Sequence, residues 1–365
     1  MTLPTLQIGQ HIARYPIIQG GMGIRISGAT LAAAVANSGG IGIISAIGLG
    51  LNSPYFDPQE PNPKKRQEQF FEANRLALID ELKRARELSP EGVIGVNVMV
   101  AVRDYETLVR TSIAHGANLI ISGAGLPLKL PAYTSDAPAV ALVPIVSSTR
   151  AAKIICQKWQ RQYGRLPDAI VVENPNTAGG HLGAKAEALG DRSFEAESVI
   201  PELVAYIRGE FGTAIPVISA GGAWNRADID HALALGANGV QMGTRFITTS
   251  ECDADRRYKT FHLNAKPEDV VIVPSPVGFP GRALRNPFVE KVLAEGTANP
   301  KANCLANCLQ TCKFRDTKAT YCILRALDRA SRGDVETGLI FSGSNAGRAQ
   351  HIMPVAELMT ELTAN

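Results

Sequence analysis

Short apolar runs rich in β-branched residues recur along the chain, and helix-length segments separate them. Runs of this kind, bounded by glycine and polar residues, predict buried strands. We predict eight strands, at residues 17–19, 41–45, 93–98, 118–122, 139–146, 169–173, 215–219 and 239–242. The segments that predict helices are residues 27–37, 67–88, 104–115, 149–163, 195–211 and 225–235.

Strict alternation of strands and helices predicts parallel pairing, because each return to the same edge of a sheet needs a crossover. Eight such units predict an α/β fold of the (β/α)₈ or TIM-barrel type. A doubly wound open sheet is the alternative that this pattern leaves open. In a barrel the loops after the strands share one mouth, so residues at the strand ends are the candidates for function.

Composition narrows the classes of protein to consider. The chain has 365 residues, of which 45% are hydrophobic and 19% charged, so it can bury a large core. A formal net charge of +3 is too small for a nucleic-acid-binding surface. No uninterrupted apolar stretch reaches the roughly 18 residues that a membrane span needs. We therefore predict a soluble, cytoplasmic protein with reduced cysteines, and neither a nucleic acid nor a membrane as its partner.

Two strand-end loops have the residues of a phosphate site. Residues 219–222 (Ser-Ala-Gly-Gly) follow the seventh strand, and residues 242–245 (Met-Gly-Thr-Arg) follow the eighth. Barrels often bind phosphate in these loops, since glycine exposes backbone N–H groups and a helix N-terminus adds a favourable dipole. Either loop alone could be only a tight turn, but two that are adjacent in the predicted ring favour phosphate binding.

The loop after the sixth strand, residues 177–183 (Thr-Ala-Gly-Gly-His-Leu-Gly), holds a histidine between glycines. Glycine lets the backbone approach a ligand closely, and the His181 imidazole can donate or accept a proton near neutral pH. A lone histidine is more often structural than catalytic, so this interpretation depends on its surroundings. Glycine or small polar residues also follow other strands, at residues 20–23, 97 and 122–125. This ring suits a flat ligand with a phosphate tail, such as FMN.

Seven segments, in order, carry a resemblance to a known family. They are residues 16–23 (Pro-Ile-Ile-Gln-Gly-Gly-Met-Gly), 38–42 (Ser-Gly-Gly-Ile-Gly), 95–97 (Gly-Val-Asn), 123–125 (Gly-Ala-Gly), 178–181 (Ala-Gly-Gly-His), 219–222 (Ser-Ala-Gly-Gly) and 241–246 (Gln-Met-Gly-Thr-Arg-Phe). Together they resemble the nitronate monooxygenase family, formerly called 2-nitropropane dioxygenase, which includes FMN-dependent enoyl-acyl-carrier-protein reductases. Each motif is weak alone, but the ordered set from about residue 16 to about residue 290 is specific.

The resemblance implies an FMN-containing barrel in which His181 is the catalytic residue. It implies that Gly221, Gly222, Gly243 and Thr244 contact the phosphate with Gln241 beside them, and that Gly21, Met22, Gly23 and Asn97 lie near the isoalloxazine ring. Lys153 matches a lysine that helps to hold the flavin, although a lysine there could equally lie on a solvated helix face. We also count Ser122 and Gly180 among the cofactor-binding residues, and we assign no residue to a metal site.

The expected activity is the oxidation of alkyl nitronates with O₂ to a carbonyl compound and nitrite. The alternatives are an FMN-dependent enoyl-thioester reductase or another NAD(P)H:acceptor oxidoreductase, with NAD(P)H as the reductant. A non-catalytic flavin-binding protein and a flavin-free barrel enzyme acting on a phosphorylated metabolite also stay open. In the first three cases the partner is a small-molecule substrate, and a homodimer is compatible with all of them.

The resemblance further implies two domains, a barrel of residues 1–245 and 335–365 and a smaller, mostly helical lid of residues 246–334. The lid carries Cys304, Cys308 and Cys312, with Cys322 ten residues later. On a helix, a spacing of four would put the first three thiols on nearly one face. They could then hold zinc or an iron–sulfur cluster, or simply pack as small apolar residues. The proline-rich residues 53–63 are expected to form a surface loop, with a lid or partner surface as the alternative.

Overall fold

The computed structural model describes residues 2–298 and 302–364, so residues 1, 299–301 and 365 of the two predicted domains lie outside the described residues. The strands are β1 Leu6–Ile8, β2 His11–Ala13, β3 Ile17–Gln19, β4 Gly42–Ser45, β5 Ile94–Met99, β6 Leu119–Gly123, β7 Ala141–Val146, β8 Ile170–Glu173, β9 Gly180–His181, β10 Val217–Ala220, β11 Gly239–Met242, β12 Val270–Val273 and β13 Gly281–Leu284. The helices are α1 Ala29–Asn37, α2 Pro63–Leu88, α3 Tyr105–Ala114, α4 Thr149–Tyr163, α5 Ala196–Phe211, α6 Arg226–Ala234, α7 Thr244–Ile247, α8 Arg256–Asn264, α9 Pro287–Glu295, α10 Lys313–Thr317, α11 Ile323–Ser331 and α12 Val355–Thr363.

Eight parallel strands form the barrel, in the order β3-β11-β10-β8-β7-β6-β5-β4. The first and last strands of this order meet as well, because Gln19 donates its backbone N–H to the Ile41 carbonyl and Ile41 donates to that of Ile17, both at 2.9 Å. The sheet is therefore closed, which confirms the predicted barrel and excludes the open sheet. All eight predicted strands are present, with ends that differ by at most two residues.

A hairpin of β1 and β2 closes the amino-terminal end of the barrel, and the sequence analysis did not predict it. Leu6, Ile8 and Ala13 are buried in one cluster with the barrel-interior side chains of the parallel strands. His11 contacts the Ala139 carbonyl through Nε2 at 3.0 Å, just before β7 begins. This plug lies opposite the strand ends that carry the predicted site.

Helix α2 begins four residues earlier than predicted because its start is well capped. The Asn62 side chain accepts backbone hydrogen bonds from Lys64 at 3.0 Å and Lys65 at 3.2 Å, and Pro63 takes the first helical position. The preceding proline-rich segment is anchored by Phe56, which packs edge-on against Phe70 of α2 with ring centroids 5.7 Å apart.

The segment between α7 and α12 carries the helices α8 to α11, as predicted, together with a hairpin of β12 and β13 that was not predicted. Strand β13 also pairs with β9, so this segment is hydrogen-bonded to the loop that holds His181. Helix α12 then packs against α1 and α6 and supplies the last helix of the ring around the barrel. The domain boundaries at residues 245 and 335 stay a prediction.

The three cysteines of the Cys-x3-Cys-x3-Cys segment do not lie on one helix, so that prediction was wrong. Residues 302–312 form irregular chain, and α10 begins only after Cys312. Backbone groups here bond outside the segment instead, since Arg103 donates to the Cys308 carbonyl and Gln310 donates to that of Ala101, both at 2.9 Å. Within residues 2–298 and 302–364, no helix is long and apolar enough to cross a membrane.

Candidate active site

A cavity of about 250 Å³ opens at the carboxyl ends of the barrel strands, between the barrel and the segment that follows α7. Eleven of the thirteen predicted site residues line it, so the sequence motifs converge on one place. They are Gly21, Met22, Gly23, Asn97, Gly180, His181, Gly221, Gly222, Gln241, Gly243 and Thr244. The individual role of each of these residues stays a prediction.

The remaining two residues, Ser122 and Lys153, are not among those that line the cavity, and their positions argue against the predicted contact with the cofactor. The Ser122 hydroxyl is buried behind the sheet, where it donates to the Val98 carbonyl at 2.9 Å and bonds the Tyr105 hydroxyl at 2.7 Å. Lys153 lies on α4, and its Nζ sits over the ring of Tyr206 on α5 at 4.7 Å from the centroid. Ser122 thus joins the barrel to α3, and Lys153 contacts a neighbouring outer helix.

The predicted phosphate end of the cavity is built from backbone that only glycine adopts easily. Gly221 and Gly222 have φ of +89° and +91°, and a Cβ on Gly221 would come within 2.9 Å of the Asn174 carbonyl oxygen. Asn345 donates from Nδ2 to the Gly222 carbonyl at 2.6 Å, and the N–H of Gly343 donates to Thr244 Oγ1 at 2.9 Å. These bonds hold the loops after β10 and β11 in place.

The loop of residues 342–345, Ser-Gly-Ser-Asn, lines the same cavity and was not predicted as part of the site. It follows the segment in which the chain returns to the barrel, more than 95 residues after β11. Its run of small polar residues is the type of pattern that marked the other strand-end loops. That similarity could have identified it from the sequence.

Three polar atoms at the cavity wall are buried and have no partner in the protein. They are Thr177 Oγ1, His181 Nε2 and Gln241 Oε1. Buried polar groups are almost always hydrogen-bonded, so three orphaned atoms around one cavity indicate a bound polar ligand. Together with the glycine loops at one end, they fit a flat ligand with hydrogen-bonding edges and a phosphate tail, which is the shape and chemistry of FMN.

His181 is held by the hairpin of the segment that covers the cavity. It pairs with Gly281 of β13, and the next residue, Leu182, donates its N–H to the Pro280 carbonyl at 2.9 Å. The guanidinium of Arg282 donates to the Ala178 carbonyl, three residues before the histidine. Phe341 packs edge-on against the imidazole at 5.0 Å between centroids. Burial lowers the pKa of His181 to about 4, so the ring is neutral at pH 7.

Glu173, the last residue of β8, also lines the cavity, and the sequence analysis did not assign it to the site. Burial raises the pKa of its carboxyl to about 7. An acidic residue at the end of an apolar strand was the available sign. By contrast, Asn174 and Asn176 donate to the two Glu195 carboxylate oxygens at 2.7 Å each, so they shape the turn and do not reach the cavity.

Comparison with known proteins identifies relatives of the whole chain. The sequence profile of the nitronate monooxygenase family matches residues 5–365. A probable nitronate monooxygenase of Staphylococcus saprophyticus is 28% identical over 315 residues, which cover 80% of this chain and 81% of that protein. A (3aS,4S,5R,7aS)-5-hydroxy-7a-methyl-1-oxo-octahydro-1H-indene-4-carboxyl-CoA dehydrogenase of Mycobacterium tuberculosis is 28% identical over 278 residues. That match covers 76% of this chain but only 65% of the dehydrogenase, less than two thirds of its length.

Two solved structures share the architecture over nearly the full length. FabK from Thermotoga maritima has a TM-score of 0.70 and 26% identity, covering 96% of this chain and 92% of that one. A nitroalkane oxidase from Streptomyces ansochromogenes has a TM-score of 0.66, covering 96% of this chain and 95% of that one. At 19% identity the second likeness shows the fold alone.

Proposed function

The chain belongs to the nitronate monooxygenase family and is an oxidoreductase, and we propose that it binds FMN and oxidises alkyl nitronates with O₂ to a carbonyl compound and nitrite. The observation that carries this proposal is His181, a residue of the cavity lining whose imidazole burial keeps neutral and whose Nε2 has no hydrogen-bond partner in the protein. A binding protein alone would not need a titratable group at that point.

Two features of the cavity lining support the proposal of FMN. The backbone N–H groups of Gly221, Gly222, Gly243 and Thr244 would bind the phosphate, and the positive φ of Gly221 and Gly222 gives that end of the cavity a backbone shape that other residues rarely adopt. The orphaned Gln241 side chain would pair with a polar edge of the ligand. FMN, when bound, supplies reversible transfer of one or two electrons between the substrate and an acceptor.

His181 can serve a nitronate or its neutral parent nitroalkane. As a neutral base it can take the proton from the carbon next to the nitro group, and in the other tautomer its N–H can donate to a nitro oxygen. A substrate anion also stabilises the imidazolium formed by the first role, which burial alone disfavours. Apolar side chains of Ile323, Leu324 and Leu327 line the lid side of the cavity, where they exclude water and would pack against an alkyl chain.

A thioester is the second candidate substrate, because one relative is named as a carboxyl-CoA dehydrogenase. In the reductive direction, NAD(P)H would supply the hydride that reduces an enoyl thioester. In the oxidative direction, an acyl thioester would lose the hydride. The same histidine would then hydrogen-bond the thioester carbonyl or exchange a proton with the α-carbon. No feature of the cavity favours a non-catalytic flavin-binding protein.

An anaerobic titration of the purified, flavin-loaded protein separates these activities. Alkyl nitronates, neutral nitroalkanes, NADH, NADPH and enoyl thioesters are added in turn, and loss of flavin absorbance reports reduction. We expect nitronates to bleach the flavin and to release nitrite once air is admitted. Bleaching by NAD(P)H with reoxidation by an enoyl thioester, and none by nitronates, would establish the thioester activity instead. Mass spectrometry of the released cofactor distinguishes FMN from FAD.

A further inference from the structure

Four cysteines lie in the segment that leads to α11, and we call them the tetracysteine group: Cys304, Cys308, Cys312 and Cys322. All four are free thiols. Cys308 lines the cavity itself, and Cys322 immediately precedes α11, whose first residues line the same cavity. Nothing in the proposed reaction uses these residues.

The four thiols are close enough to perturb one another, although the chain that carries them is irregular. Burial raises the pKa of Cys308 well above its usual value, and the thiols of Cys322, Cys304 and Cys312 raise it further. Cys304 similarly raises the pKa values of Cys312 and Cys322, after the larger effect of burial on each. Thiol groups that interact in this way are unfavourable as thiolates unless a cation lies near them.

Backbone N–H groups point at two of the four sulfurs, each from three residues further along the chain. Asn307 donates to Cys304 Sγ at 3.3 Å and Arg315 to Cys312 Sγ at 3.5 Å, and the Arg315 guanidinium donates to Asn307 Oδ1 at 2.6 Å, which ties the two turns together. Such N–H···S bonds stabilise thiolates and set the potentials of iron–sulfur sites. The Arg315 guanidinium also interacts with Cys304 and Cys312, which adds positive charge beside the group.

The arrangement does not suit one metal ion. Among residues 2–298 and 302–364, no group of three or more His, Cys, Asp or Glu side chains could hold a single ion. A tetrahedral zinc with Zn–S bonds of about 2.3 Å needs sulfurs about 3.8 Å apart. An iron–sulfur cluster holds its four cysteine sulfurs further apart, because a core of iron and sulfide lies between them.

We propose that the tetracysteine group binds a [4Fe–4S] cluster, with each thiolate bound to one iron and each thiol proton released to solvent. The site adjoins the active-site cavity through Cys308, so the cluster would lie beside the cavity in which we propose that the flavin binds. The proposal stands independently of the substrate and of FMN, because it rests only on these residues and their donors.

The test is reconstitution of the full-length protein. It is purified without oxygen, incubated with ferric iron, sulfide and excess thiol, which reduces part of the iron as the thiol is oxidised to disulfide, and freed of excess reagents. We expect about four iron and four acid-labile sulfide per chain, broad visible absorbance besides that of any flavin, and an electron paramagnetic resonance signal of a reduced cluster after dithionite. Cys304→Ala and Cys312→Ala should lose the iron and this signal. Cys156→Ala and Cys252→Ala, which alter buried thiols outside the group, should keep both.

Flavin content and melting temperature, measured on the same samples, show whether each variant is folded and keep the flavin proposal separate. The wild-type stoichiometry and spectrum decide the question even if a cysteine variant fails to fold. No iron after reconstitution, zinc in its place, or iron that survives both Cys304→Ala and Cys312→Ala would overturn the proposal.

Discussion

Replacing Gly222 with aspartate tests where the cofactor phosphate lies. A Cβ at this position would have Thr177 Oγ1 as its nearest neighbour at 3.3 Å, whereas at Gly221 it would meet a backbone oxygen at 2.9 Å. Gly222 is therefore the position where a side chain can enter with less rearrangement. Its φ of +91° adds strain of about 1–2 kcal/mol for a non-glycine residue, but aspartate and asparagine share that strain.

The aspartate variant carries a negative charge that the asparagine variant lacks, so the two should differ in their affinity for FMN. At an effective dielectric constant of about 20, two like charges about 5 Å apart repel by about 3 kcal/mol. That energy corresponds to an increase of about 200-fold in the Kd for FMN relative to Gly222→Asn. The assay is titration of the flavin-free variants with FMN, followed by quenching of flavin fluorescence, at low and high salt. Equal affinities of the aspartate and asparagine variants would refute the placement of the phosphate at this loop.

Four further predictions concern residues around the cavity. His181→Asn should retain the flavin but lower kcat by about 10²–10⁴-fold, the range for loss of a general acid–base group, and unchanged turnover would contradict the assigned role. The loss of stability between pH 6.5 and pH 4 should be smaller for His181→Asn than for the wild type, because burial lowers the pKa of His181 to about 4 and protons at this residue then bind mainly to the unfolded chain; chemical denaturation of both proteins across this range measures the difference, and equal losses would contradict the burial of a neutral imidazole. Asn345→Ala removes the bond to the Gly222 carbonyl, at about 1 kcal/mol, and should weaken FMN binding about fivefold in the same fluorescence titration. Lys153→Met should leave flavin content per chain unchanged, since its ammonium group lies on Tyr206; loss of flavin would show that the residue reaches the cofactor.

The barrel could be predicted because its strands are short buried runs, and six of the eight are followed by a helix of nine residues or more. The hairpin of β1 and β2 has three-residue strands, and no helix follows either of them. Only the burial of Leu6 and Ile8 with the barrel-interior side chains shows its position. The pairing of β13 with β9 was equally hidden, because it joins residues about 100 positions apart. It is nevertheless the contact that fixes His181, and local sequence patterns carry no information about it.

The cysteine spacing shows how a correct pattern can lead to a wrong local structure. Intervals of four residues match a helix, but here Asn307 has a positive φ of 49° and its N–H turns back to Cys304 Sγ. Because the sulfur accepts this hydrogen bond, the Asn307 N–H is not directed to a backbone carbonyl as it would be in a helix. The four cysteines lie on successive turns and at the start of α11. The prediction that their thiols could form a group therefore did not depend on the prediction of a helix.

The charged side chains around the cavity differ from those that the sequence predicted. This difference affects how the site can stabilise negative charge on a ligand. Lys153 was the one cation assigned to the cofactor, yet none of the described residues that line the cavity is lysine or arginine. The nearby Arg282 donates to the Ala178 carbonyl, and Arg245 is paired with Glu361 at 2.7 Å. Negative charge on the substrate or on a reduced cofactor must therefore be met by backbone N–H groups and by the neutral imidazole. Under the proposed function, binding of a nitronate would therefore depend on fixed dipoles, and these require that the glycine loops keep their shape.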